Sequence, residues 1–97
     1  MAQVVYAAAA LGHIERGLQE LREAQPDAAL RTVAALCSAI ESLAAHPLIG
    51  RRVHGELREL VISYGATGYV ALYRFVVLRE EVRVLALRRQ RELGFVP

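Results

Sequence analysis

The hydrophobic period of this chain changes once, near its midpoint, and that change restricts the architectures open to it. From Ala7 onward the large apolar residues recur at helical spacing: Leu11, Ile14, Leu18 and Leu21 stand 3, 4 and 3 apart, which marks one face of an α-helix. Pro26 stops that helix, and Gln25-Pro26-Asp27 forms a turn. A second helix is predicted from about Asp27 to Ala45, with a stripe of Leu30, Val33, Cys37, Ile40 and Ala44 that Leu36 and Leu43 widen. So short a connection makes the two helices antiparallel neighbours. Past residue 56 the period becomes two. Leu60, Ile62 and Tyr64 alternate with Val61 and Ser63; Tyr69, Ala71, Tyr73, Phe75 and Val77 alternate with Val70, Leu72, Arg74 and Val76; Val82, Val84 and Ala86 alternate with Arg83, Leu85 and Leu87. These are three strands of an antiparallel meander, turning at Gly65–Gly68 and Arg79–Glu80.

With the β-type run before Ala7 the order is β-α-α-β-β-β, an α+β domain in which a helical hairpin covers one face of a small, mostly antiparallel sheet. The 97 residues make one domain: a strand at 1–6, a helical hairpin at 7–45, a loop at 47–56, a three-strand meander at 57–89 and an Arg-rich tail at 90–97. Leu30 and Ile40 are core candidates, whose truncation to Ala costs about 2–5 kcal/mol. The other face of the sheet is free to carry Arg74, which lies opposite Tyr73 and Phe75 in the alternation.

Composition narrows the chemistry. All twelve basic residues are Arg, and they are unevenly placed. Residues 1–50 hold three Arg against five acids, whereas residues 51–97 hold nine against five. A guanidinium-rich half suits bidentate pairing with carboxylate or phosphate, and so a nucleic acid or an acidic partner. A single cysteine, Cys37, forms no internal disulfide and fits a reducing compartment. The opening residues have no basic flank or cleavage pattern and no apolar run is long enough to span a bilayer, which predicts a cytoplasmic protein without membrane attachment. His13, His46 and His54 have no ligand spacing, so no metal or cofactor is expected. They read as a helix surface, a helix end and a loop. Gly65-Ala66-Thr67-Gly68 lacks the lysine and following helix of a phosphate loop and reads as a hairpin turn; Glu80 and Glu81 read as a solvated turn. The arginines remain: Arg74 within a strand, Arg88, Arg89 and Arg91 where the last strand ends, and Arg51 and Arg52 in the loop. They form either a solvated basic edge or an anion-binding groove on the sheet.

Four strings occur in this order: His-Pro-Leu-Ile-Gly-Arg-Arg-Val (46–53), Leu-Arg-Glu-Leu-Val-Ile-Ser-Tyr-Gly (57–65), Gly-Tyr-Val-Ala-Leu-Tyr-Arg-Phe (68–75) and Val-Leu-Ala-Leu-Arg-Arg-Gln-Arg-Glu (84–92). Together they resemble the RelE/ParE superfamily of bacterial type II toxins, often called plasmid stabilisation proteins, over nearly the whole chain. The resemblance implies a growth-inhibiting toxin neutralised by a cognate antitoxin, with operator DNA bound only through that antitoxin. It also implies one of two targets. RelE-like members cut mRNA on the ribosome, using basic sheet residues and a Tyr after the last strand; ParE-like members poison DNA gyrase. Gly65 falls where the RelE-like pattern expects Arg, Phe95 stands where it expects Tyr, and lysine is absent. The implied function is therefore ParE-like binding, with Arg74, Arg88, Arg89 and Arg91 as target-binding residues. In the ribonuclease alternative Arg74, Arg89 and Arg58 stabilise charge, and Tyr64 or His54 moves the proton. A degenerate toxin that only binds its antitoxin is the third class.

Overall fold

The computed structural model describes residues 1–64 and 67–91. Its elements are strand β1 (Gln3–Tyr6), helices α1 (Ala8–Ala24) and α2 (Ala29–Glu41), a 3-10 turn at Ser42–Ala44, and strands β2 (Arg51–His54), β3 (Leu57–Tyr64), β4 (Thr67–Val76) and β5 (Glu81–Arg89). The sheet order is β1-β5-β4-β3-β2. β1 runs parallel to β5 and every other pairing is antiparallel. Both helices lie on one face, α1 over β5 and α2 over β3.

The expected loop at 47–56 is shorter than its composition suggests. Arg51–His54 pairs with β3 through a register shift and adds a fourth strand to the meander. All four of its side chains are exposed, so no buried alternation marks it in the sequence. Gly55, at φ 55°, makes the tight turn into β3. The predicted turn at Gly65–Gly68 lies partly outside the described residues; Gly68 belongs to β4. At the other hairpin Val77–Arg79 forms a 3-10 turn, and Glu80 adopts the left-handed conformation that reverses the chain.

The helices bury a different stripe from the one their largest residues trace. α1 turns Ala10, His13 and Leu21 to the sheet and leaves Leu11 48% exposed. α2 buries Ala29, Thr32, Leu36 and Ile40, while Leu30 is 67% exposed and Val33 and Cys37 are half-buried. Ile40 is the core residue expected; Leu30 is not. The sheet-facing positions mix small side chains (Ala10, Ala29, Thr32) with large ones (His13, Leu21, Leu36, Ile40). The core then joins Ala10, Leu36, Ile40 and Leu43 to Ile62, Tyr69, Ala71, Tyr73, Val82, Val84 and Leu87. Each large aliphatic residue buried there contributes about 1.5–3 kcal/mol. Tyr6 ties β1 to the end of α2 by donating to Glu41 Oε2 at 2.9 Å.

β5 departs from strict alternation. Tyr73 pairs with Val84 but Leu72 pairs with Ala86, so Leu85 has no partner and β5 carries a one-residue bulge. The bulge resets side-chain parity: Leu87 enters the core beside Val84, and Arg88 turns to the face without helices. The β1 ladder ends at Tyr6, opposite Val84. Beyond it, α1 takes over that edge of β5. His13, expected on a helix surface, is buried there, and its Nδ1 accepts the Leu87 amide at 3.0 Å.

A second fixed point joins three of the sequence strings. The Gly50 amide donates to the Tyr73 hydroxyl at 2.8 Å, and Arg58 Nη1 donates to the carbonyls of Leu48 (3.1 Å) and Gly50 (2.8 Å). Burial raises the Tyr73 hydroxyl above its usual pKa; the Gly50 amide and Arg58 pull in the opposite direction but do not outweigh it. This latch seats the segment leading into β2 on the buried tyrosine. A Cβ at Gly50 would lie 2.5 Å from the Tyr73 hydroxyl and 2.8 Å from the Glu59 carbonyl.

These contacts separate the glycines by role. Gly17 is in mid-helix with open space where its Cβ would be, so Gly17→Ala is expected to stabilise the fold by about 0.5–1 kcal/mol. Gly50→Ala is expected to destabilise it by about 1–3 kcal/mol through overpacking. Urea melts of the two variants check both signs. His13→Ala leaves the Leu87 amide without its partner and is expected to cost about 1–3 kcal/mol in the same melts; an unchanged midpoint would mean that water reaches that edge.

Candidate functional site

In-register pairing places side chains on a common face, which distributes the arginines. On the face without helices stand Glu59 and Val61 of β3, Val70, Leu72, Arg74 and Val76 of β4, and Glu81, Arg83, Ala86 and Arg88 of β5. Arg51 of β2, paired with Glu59, joins them. Glu59 is the hub of this surface. It takes Arg51 Nη2 on Oε1 at 3.1 Å and lies 3.9 Å from Arg88 Nη2 through Oε2. Arg83 Nε donates to Glu81 Oε1 at 2.5 Å. Arg74 is half-buried, lies directly across from Arg83, and has neither a carboxylate nor a hydrogen-bond partner among the described residues.

The other sequence candidates are elsewhere. Arg89 is opposite Tyr69 on the helix side of the sheet, and its Nη2 pairs with Glu20 Oε2 of α1 at 2.8 Å. Arg58, opposite Tyr73, is engaged by the latch carbonyls. Arg91 is exposed beyond the end of β5, and Arg52 donates to the Gly55 carbonyl. Arg89 and Arg91 line a cleft of about 260 Å³ with Leu21, Ala24, Gln25, Gly68 and Gln90, between the end of α1 and the end of β5. The Tyr69 hydroxyl and Arg89 Nε are buried without partners among the described residues. The sheet thus groups Arg74 and Arg88 on one face, about four residues or 13 Å apart along the strands, and separates both from Arg89, Arg91 and Arg58.

Of the proposed proton carriers, His54 is exposed at the end of β2. The Tyr64 side chain, Gly65 and Phe95 lie outside the described residues. Burial and then the Glu41 carboxylate push the Cys37 thiol up, which disfavours the thiolate and a nucleophilic role. Among the described residues no group of His, Cys, Asp and Glu could hold a metal ion, and no helix is long and apolar enough to cross a membrane.

Sequence reasoning missed Glu59, Arg83 and His13 as organising residues. Glu59 and Arg83 were within reach, since each alternates with core residues in its strand. His13 was not, because its partner is an amide 74 residues away.

An apolar surface accompanies the charged one. Exposed Leu11 and Leu30, with half-buried Leu18, Val33 and Cys37, lie on the helices outside the sheet-facing stripe.

Comparison with known proteins identifies the fold and the family. The fold is similar to a chain of the chromosomal ParDE toxin–antitoxin system from P. aeruginosa, at a TM-score of 0.75 over 92% of this chain and 96% of that one; at 18% identity the likeness is one of fold. A chain of the toxin–antitoxin complex RelBE2 from Mycobacterium tuberculosis is 25% identical, with a TM-score of 0.60 over 92% of this chain and 98% of that one. Among curated proteins, Toxin RelE3 of Caulobacter vibrioides is 47% identical over 49 residues, which are 50% of this chain and about half (53%) of that relative's length. The family model for the ParE toxin of the type II toxin–antitoxin system parDE matches residues 4–94. With that match running from β1 past the end of β5, the chain belongs to the ParE toxin family of type II toxin–antitoxin systems.

Proposed function

We propose that this chain is a cytoplasmic growth-inhibiting toxin, held inactive by a cognate antitoxin, which acts by binding and poisoning DNA gyrase and not by cutting RNA. The carrying observation is the separation of its arginines. Cleavage by 2′-hydroxyl attack needs cationic and proton-transferring groups around one phosphate. Here Arg74 occupies the open face, Arg89 the helix side beside Glu20, and Arg58 the latch. No two of these three share a site among the described residues, whereas Arg74 and Arg88 share a broad surface suited to a protein or protein–DNA target.

The antitoxin reading is supported by the exposed apolar positions on the helices. A partner segment that folds on binding covers such a surface with its own apolar residues and neutralises arginines with acids. Operator DNA then contacts the pair through the antitoxin, and maintenance of a plasmid follows from the toxicity of an unpartnered toxin.

Induced expression in a host without the antitoxin, with cell shape, DNA-damage signalling and mRNA integrity read together, tests this. The expected result is growth arrest with filamentation and DNA-damage signalling while mRNA stays intact, and loss of that effect in Arg74→Gln and Arg88→Gln variants that still fold. Rapid cleavage of translated mRNA at codon positions would overturn the reading in favour of a ribonuclease. Soluble protein without any growth defect would leave a degenerate, antitoxin-binding domain.

A further inference from the structure

Arg74 and Arg83 face each other across β4 and β5 as a directly paired like-charge couple. Such a pair is unfavourable in a sheet, and the surroundings compensate only part of it. Four arginines stand on this face, Arg51, Arg74, Arg83 and Arg88, against Glu59 and Glu81. Glu59 serves Arg51 and Arg88, and Glu81 serves Arg83. Arg74 is half-buried with no partner among the described residues.

We propose that Arg74 and Arg83 form a clamp for a single carboxylate, supplied by an acidic side chain of an extended antitoxin segment lying across the open face. The clamp rests on the reading of the chain as a toxin with an antitoxin partner. Carboxylate is favoured over phosphate by three features. Arg83 already holds a carboxylate, that of Glu81, so a second anion completes a shared arrangement of known chemistry. The neighbours of the pair on this face include Leu72 and Val76, which suit the alternating apolar residues of a peptide. A nucleic-acid strand brings a charge at every nucleotide and would meet Glu59 and Glu81, whereas an acidic peptide can place a single carboxylate at Arg74, the arginine of this face without a carboxylate partner among the described residues.

The test needs no cell, so it succeeds or fails independently of growth arrest. The isolated chain is titrated with a capped peptide of about nine residues alternating valine and glutamine with a single glutamate at its centre, long enough to cross the strands. Controls are the same peptide with glutamine for glutamate, and a single-stranded DNA of similar length. The Nε–Hε NMR signals of Arg74 and Arg83 report binding. The glutamate peptide is expected to shift both signals, with affinity about tenfold weaker for the glutamine peptide and for Arg74→Gln. Without ligand, Arg74→Gln is expected to raise the unfolding midpoint by about 2–4 °C by removing the like-charge contact. The clamp is overturned if the glutamate peptide moves neither signal, if the DNA moves them at lower concentration, or if Arg74→Gln lowers the midpoint and so reveals a structural role.

Discussion

Strand β5 is flanked by β1 on one side and β4 on the other, and the extra residue at Leu85 governs what its second half presents. A one-residue change of phase sends every later side chain to the opposite face. Without the bulge, Leu87 would face away from the helices and Arg88 would be directed into the core, where an unpaired guanidinium is costly. With it, Leu87 completes the core, Arg88 joins the open face and Arg89 meets Glu20 of α1. His13 holds this arrangement by accepting the Leu87 amide where the β1 ladder has ended. A helix residue thereby replaces a missing strand as hydrogen-bond partner.

The Tyr73 latch does comparable work at the other end of the sheet. It converts a polar, Arg-rich segment into a seated β2 edge, using a glycine amide, two carbonyls, a phenol and one guanidinium. Arg58, whose residue type made it a candidate for phosphate stabilisation, donates here to the Leu48 and Gly50 carbonyls. Burial of Tyr73 and the tight fit at Gly50 make the latch specific to these side chains.

Two surfaces follow from this arrangement. The open sheet face mixes arginines, two carboxylates and aliphatic side chains, of which Val61 is exposed. The outer side of the helices shows leucines that a self-sufficient domain would bury. Surface of that kind fits a chain designed to be covered by a partner, which agrees with membership of a toxin–antitoxin family.

Much of the architecture was readable along the chain. The helical period before residue 46 and the alternation after residue 56 determined two helices and an antiparallel meander, because periodicity reflects local geometry. Pro26 determined the break between the helices, because its ring and missing amide proton end one. The facing of Arg74 was determined in the same way, by its place opposite Tyr73 and Phe75 in an unbroken alternation. Tertiary structure decided the rest. Which stripe of each helix is buried was set by how α1 and α2 are rotated onto the sheet, which favoured Ala10, His13 and Leu36 over Leu11 and Leu30. β2 exists because β3 offers an edge, and no buried side chain of its own announced it. The separation of Arg88 from Arg89 was settled by a bulge that only pairing with β4 reveals, since a run of apolar residues from Val84 to Leu87 reads equally well in either phase.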